Sequence, residues 1–256
     1  MKFLKNKNVF KNQDFFILLP NLLDIVECKP NLNVCLDDIL FVEEQKKLIL
    51  DYTIRFSKNL ESSNCFLWGA RGMGKSSLIK CAIQRVNEIN KNKLKLIEIL
   101  NHNFIYLPEL MYFLRKLNHN FVIFIDDITF EEKSSDFKLF KSILEGSLLS
   151  DSPNIKFYVS SNLRHLSLEK NMNSETDEII KKEVLTNLVS LSDRFGCKIG
   201  FFENNQENYL KIVKYYAKKK KINLSELNIK ESVQWSLQKG NFSGRSACQF
   251  IDNLKT

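Results

Sequence analysis

Residues 69–76 read Gly69-Ala70-Arg71-Gly72-Met73-Gly74-Lys75-Ser76. The spacing G-x-x-x-x-G-K-[ST] is suited to holding phosphate. Its glycines let the backbone curl until successive N–H groups face one anion. The lysine reaches the terminal phosphates of a nucleotide, and the hydroxyl after it ligates magnesium. Three of the chain's eight glycines stand in this one loop. The expected phosphate cradle therefore runs from Gly69 through Ser77. Within it, Arg71 suits a phosphate contact and a surface ion pair equally well.

A second set of chemical groups lies downstream. Asp126 follows the apolar run Phe121-Val122-Ile123-Phe124-Ile125. A carboxylate at such a strand end holds magnesium, directly or through water, in P-loop nucleoside triphosphatases. Asp127 beside it is placed to orient or deprotonate an attacking water, and Glu131 and Glu132 are alternative bases. Asn162 ends the next apolar run, Ile155 to Val159. An amide there can bond both the water and the terminal phosphate, although Asn also caps turns. Ser76 and Asp126 are thus the expected magnesium ligands, and Asp127 and Asn162 belong to the expected catalytic set.

These groups need elements to carry them. Asn64-Cys65-Phe66-Leu67-Trp68 reads as a buried strand before the loop. Leu78, Ile79, Ala82, Ile83, Val86 and Ile89 follow at helical spacing. A loop between strand and helix sets phosphates at the helix N-terminus, where free N–H groups and the dipole favour anions. Further strands are expected at 94–100, 121–125, 155–159 and 198–202. Helices are expected from Pro108, over 137–149 and over 177–188. Alternating strands and helices imply a parallel sheet covered on both faces, with ligands beyond the carboxyl ends of its strands. Gly69, Asp126 and Asn162 all stand at such ends.

Three divisions follow along the chain. Residues 1–35, rich in lysine and asparagine, are an N-terminal extension expected to pack loosely or wrap the core. Residues 36–202 are the α/β nucleotide-binding domain. It opens with Asp37-Asp38, expected to cap a helix through Ile39, Val42, Leu48, Ile49, Tyr52 and Phe56. Residues 203–256 carry helical periodicity only, as in Tyr209, Ile212, Val213, Tyr216 and Ala217.

Composition narrows the function classes. The chain has 256 residues, 44% of them hydrophobic. No apolar run approaches the roughly 20 residues that span a membrane. Phe15 to Leu19, behind four lysines, is too short for a leader and ends at Pro20. The six cysteines include no C-x-x-C pair, which speaks against zinc and for reduced, buried thiols such as Cys65 and Cys81. The reading is a cytoplasmic protein without a membrane partner. A net charge of +8 admits a nucleic-acid partner, although no recognition motif supports one. The run Lys218 to Lys221 is expected to end a helix, where cations suit the dipole. Lysine carries most of the positive charge, so the few arginines are informative. They stand at 55, 71, 85, 115, 164, 194 and 245; a rigid guanidinium fork marks sites needing geometry rather than charge alone.

In combination the motifs resemble a known class. The strand-end Asn162, then Ser192-Asp193-Arg194-Phe195-Gly196 before a last strand, then Gly244-Arg245 in a helical C-terminal region, resemble the AAA+ ATPases. The match narrows with Phe66 to Ser77, Leu107-Pro108-Glu109-Leu110, Ile125 to Glu131, Ser161 to Leu166, Ser190 to Gly196 and Ser243-Gly244-Arg245. Over about residues 35–255 these resemble domain-of-unknown-function family 815, bacterial AAA+ ATPases of unassigned role. The resemblance implies a P-loop parallel sheet with helices on both faces and a small all-helical C-terminal lid. It implies ATP and Mg2+ as ligands. Arg194 would be a finger reaching a neighbouring subunit's site, so the protein would be a homo-oligomer, and Arg245 would sense bound phosphates from the lid. Arg164 could face a neighbour or solvent, and His165 reads as structural.

Two positions depart from the class. Asp127 stands where glutamate is usual, which leaves a longer reach to the water. Phe41 stands where glycine is common. The expected function is Mg-dependent ATP hydrolysis coupled to assembly or remodelling of a partner. The alternatives are an ATP-gated loader or adaptor for nucleic acid or a helicase, and a small-molecule kinase, for which no acceptor pocket is legible.

Overall fold

The computed structural model describes residues 7–19, 24–29, 34–90, 94–100, 104–128, 135–145, 152–162 and 190–254. Glu131, Glu132, Arg164, His165 and the helix expected over 177–188 lie outside them. A seven-stranded sheet forms the body. Its strands are β1 (Phe15–Leu19), β2 (Asp24–Glu27), β3 (Cys65–Gly69), β4 (Lys95–Ile99), β5 (Phe121–Ile125), β6 (Ile155–Ser161) and β7 (Cys197–Phe201). Their order across the sheet is β2-β1-β4-β5-β6-β3-β7. β1 and β2 pair antiparallel, and every other pairing is parallel. Parallel strands need crossovers, and the crossovers cover both faces. Hence all five residues of central β5 are buried.

One face of the sheet packs on α1 (Glu43–Ser57) and α2 (Lys75–Ile89). Its core includes Ile49, Leu78, Ala82, Val122 and Phe124. The other face packs on α3 (Leu107–Leu114) and α4 (Ser135–Leu144), through Leu110, Met111, Phe140 and Ile123. Pro108 sits in the first turn of α3, where its missing N–H costs nothing. The C-terminal region holds α5 (Gln206–Lys219), α6 (Glu226–Gln238) and α7 (Gly244–Asn253) around a separate core of Tyr209, Val213, Phe250 and Ile251. Asn205, Ser225 and Ser243 cap these three helices with their side chains.

Several expectations change. Residues 15–19 and 24–27 do not merely wrap the core. They add β1 and β2 to the sheet beside β4, burying Phe16 and Leu18. The run Phe15 to Leu19 is a strand because alternate side chains face the core. Asp37-Asp38 caps no long helix, since residues 36–38 form one 3-10 turn and α1 begins only at Glu43. Leu48 and Ile89, apolar and in helical register, are exposed. The lysine run ends a helix as expected, with Lys218 and Lys219 in the last turn of α5, and it also forms ion pairs. Lys219 pairs with buried Asp38 at 2.5 Å and Lys220 pairs with Asp252.

Candidate nucleotide site

The sheet delivers the polar groups to one end. In register, Trp68 lies beside Ser161 and Ile125 beside Val159. The residues just past β3, β5 and β6 therefore converge. The loop after β3 is shaped by close approaches. Gly69 has φ 121°, and a Cβ there would lie 2.0 Å from the carbonyl oxygen of Phe201 on β7. The Ala70 N–H donates to that same oxygen at 2.8 Å. Gly72, at φ 77°, packs against α7, where a Cβ would meet the Ser243 Oγ at 2.6 Å. Its carbonyl accepts from the Arg245 N–H at 3.2 Å. No side chain fits at either glycine without moving its neighbours.

Lys75 opens α2 and is buried. Its Nζ donates to the Gly69 carbonyl at 2.9 Å, the Ala70 carbonyl at 2.8 Å and the Asn162 Oδ1 at 2.7 Å. Asn162 in turn donates from Nδ2 to the Asp127 Oδ1 at 2.6 Å. The Ser76 hydroxyl donates to the Asp126 Oδ1 at 2.5 Å. Ser160 donates to that oxygen at 2.5 Å and accepts from the Asp127 N–H at 2.9 Å. Burial pushes the Lys75 ammonium down from its usual 10.5 to about 8. Asp127 and Asp126 oppose that shift and Arg245 adds to it.

These groups line a cleft of about 100 Å3, with Arg71, Gly72, Gly74, Ser77 and Arg245 at its borders. Next to it lies an apolar pocket of about 260 Å3 that shares Gly72, Gly74, Ser77 and Arg245. Ile39, Met73, Asn204, Tyr216 and Gln249 also line this pocket, which lies between body and C-terminal helices. A small polar cleft bordering a larger apolar pocket suits a ligand with a phosphate-bearing end and an apolar or aromatic end. A hydroxyl and a carboxylate together, Ser76 with Asp126, are what magnesium takes when substrate phosphates and water complete its shell.

Of the residues expected from sequence, Gly69 to Ser77, Asp126, Asp127, Asn162 and Arg245 come together. Arg194 does not join them. It lies on the surface, its Nη2 3.3 Å from Glu145 Oε1. Asp127 has φ 50°, a left-handed backbone in which the Ser160 hydroxyl helps hold it. Phe41 has φ 61°, so the position keeps a conformation that favours glycine while carrying an exposed aromatic ring. Ser160 was missed, and its only signal was a polar residue ending a strand next to Asp126. The pocket residues Ile39, Asn204, Tyr216 and Gln249 carried no signal, because they meet only when the C-terminal helices dock.

The fold has known counterparts. The RuvB Holliday junction branch migration motor of Thermotoga maritima matches with TM-score 0.54 and 15% identity, over 84% of this chain and 60% of that one. The Aeropyrum pernix ORC1 protein, solved in complex with DNA, matches with TM-score 0.59 and 12% identity, over 86% and 62%. Domain III of the Thermotoga maritima replication initiation protein DnaA matches with TM-score 0.50 and 15% identity, over 88% and 98%. The chain thus spans about three fifths of the RuvB and ORC1 chains. At these identities the likeness is one of fold, that of the AAA+ P-loop ATPases. No curated protein matches the chain in sequence. The family model for the protein of unknown function DUF815 matches residues 21–256, and the chain belongs to that family.

Proposed function

We propose that the protein is a Mg-dependent ATPase whose turnover drives assembly or remodelling of a partner. The observation that carries this reading is the linked pair of networks, Lys75–Asn162–Asp127 and Ser76–Asp126–Ser160, at the ends of three adjacent strands. Lys75 would exchange its carbonyl partners for phosphate oxygens and stabilise charge on the transferring group. Asp127, oriented by Asn162, would hold and deprotonate the attacking water. Ser76 and Asp126 would hold magnesium, which when bound neutralises charge on the β- and γ-phosphates. Arg245 would report phosphates from a lid spanning 203–256, closing on a body of 36–202. The buried thiols Cys65, Cys81 and Cys197 favour a cytoplasmic setting.

Arg194 supports an oligomer. It lies outside its own chain's cleft and its only ion pair among the described residues is an exposed one. Such an arginine would complete a neighbour's site, where a finger is worth roughly 10³–10⁵ in rate. The test is ATP hydrolysis per subunit across protein concentration. Specific activity should rise with concentration and be lost in Arg194→Ala. That variant should fold as the wild type does, because an exposed pair contributes about 0–1 kcal/mol. Concentration-independent activity, unaffected by Arg194→Ala, would refute the shared site. Tight ATP binding with no turnover would instead favour the loader or adaptor switch, to which the short Asp127 side chain is suited.

A further inference from the structure

At the opposite end of the sheet lies a cleft of about 1020 Å3. It is lined where the parallel strands begin: Ser62 before β3, Lys95 at the start of β4, Asn120 before β5 and Asn154 before β6. The nucleotide site sits at the other ends of these strands, about 17 Å away along a five-residue strand. No part of the ATP-site reading uses this cleft.

Its charge is one-sided. Lys11 comes from the segment before β1, Arg115 from the end of α3 and Lys156 from β6. Lys95 is compensated by the Asp14 Oδ1 at 2.9 Å and the Gln13 carbonyl at 2.7 Å. The other three have no ion-pair partner among the described residues, and Glu61 is the only carboxylate in the lining. Lys156 is half-buried, and burial lowers its pKa, with Cys65 and Glu61 opposing the shift. A partly desolvated ammonium without a close counter-charge is costly, and an anion placed there would lift that cost.

We propose that this cleft binds the phosphate backbone of a single nucleic-acid strand. Cations drawn from three separate segments around one cleft suit a ligand with several phosphates better than one compact anion. A concave cleft with Leu60 as its one exposed large apolar side chain does not suit a membrane surface. Exposed aromatic platforms are absent from the described lining, so recognition runs through the backbone. Binding should be indifferent to base sequence and sensitive to salt. The inference stands independently of the ATPase reading.

The test uses the full chain without nucleotide and a labelled single-stranded oligonucleotide of about 12 nucleotides, followed by fluorescence anisotropy across salt. Three phosphate contacts predict a log–log salt slope of about −2. Arg115→Glu and Lys11→Glu alter exposed side chains that support no packing, and each should reduce the slope by about 0.7 and weaken binding several-fold. Lys75→Ala should leave strand binding unchanged while removing nucleotide binding. The proposal is overturned if both charge reversals bind like the wild type, or if Lys75→Ala abolishes strand binding. Displacement by inorganic phosphate at equal phosphate concentration would also overturn it, assigning the cleft to a small anion.

Discussion

Nucleotide affinity should fall as pH rises through about 8, and Lys75 is the reason. Its ammonium is buried on three carbonyl-type acceptors rather than on a carboxylate. Burial therefore lowers its pKa from 10.5 to about 8 in the free protein. That gap corresponds to about 3 kcal/mol between its charged and neutral forms. Phosphate oxygens would favour the charged form and lift the pKa back towards its ordinary value. Above pH 8 the protein must then take up a proton to bind. Only the protonated fraction is competent, so affinity drops about tenfold per pH unit and about 100-fold between pH 7 and 10. Isothermal titration with a non-hydrolysable ATP analogue, in buffers of different ionisation enthalpy, reads both affinity and proton uptake. Lys75→Arg provides the control, since guanidinium stays charged throughout and its binding should be flat with pH. A wild-type affinity that is flat to pH 9.5, with no proton uptake, would refute the reasoning.

The junction between body and C-terminal helices should be acid-sensitive at Asp38. Burial alone would raise its carboxyl, but hydrogen bonds from Cys35, Lys219 and Tyr215 outweigh that and hold it at about 2. The stability it contributes is present above its ordinary value of 3.8 and is lost as pH falls through about 2. Asp38→Asn should cost about 1–3 kcal/mol at pH 7 in urea melts and remove this acid dependence; an unchanged melt at both pH values would contradict the role. Phe41→Gly should stabilise by up to about 1 kcal/mol by removing a side chain from a left-handed backbone, raising the melting temperature by about 2 °C. A lower melting temperature would show instead that the half-exposed ring contributes packing.

The sequence by itself determined the phosphate-loop pattern and most of the sheet. The phosphate loop is legible because its glycines, lysine and serine each have a local task. A central strand such as β5 is legible because a parallel sheet buried on both faces demands a continuous apolar run such as Phe121 to Ile125. The polar ends of β5 and β6 mark the site for the same reason, since burial stops where Asp126 and Asn162 begin. Tertiary structure alone decided three things. β1 and β2 joined the sheet edge because β4 offered unpaired backbone groups, a demand invisible in residues 15–27. Asp38 became a buried anchor rather than a helix cap because Tyr215 and Lys219, some 180 positions later, supply its hydrogen bonds. Ser160, the apolar pocket and the basic cleft at the strand starts likewise depend on register and docking. Those are long-range pairings, set by which surfaces bury each other rather than by local residue order.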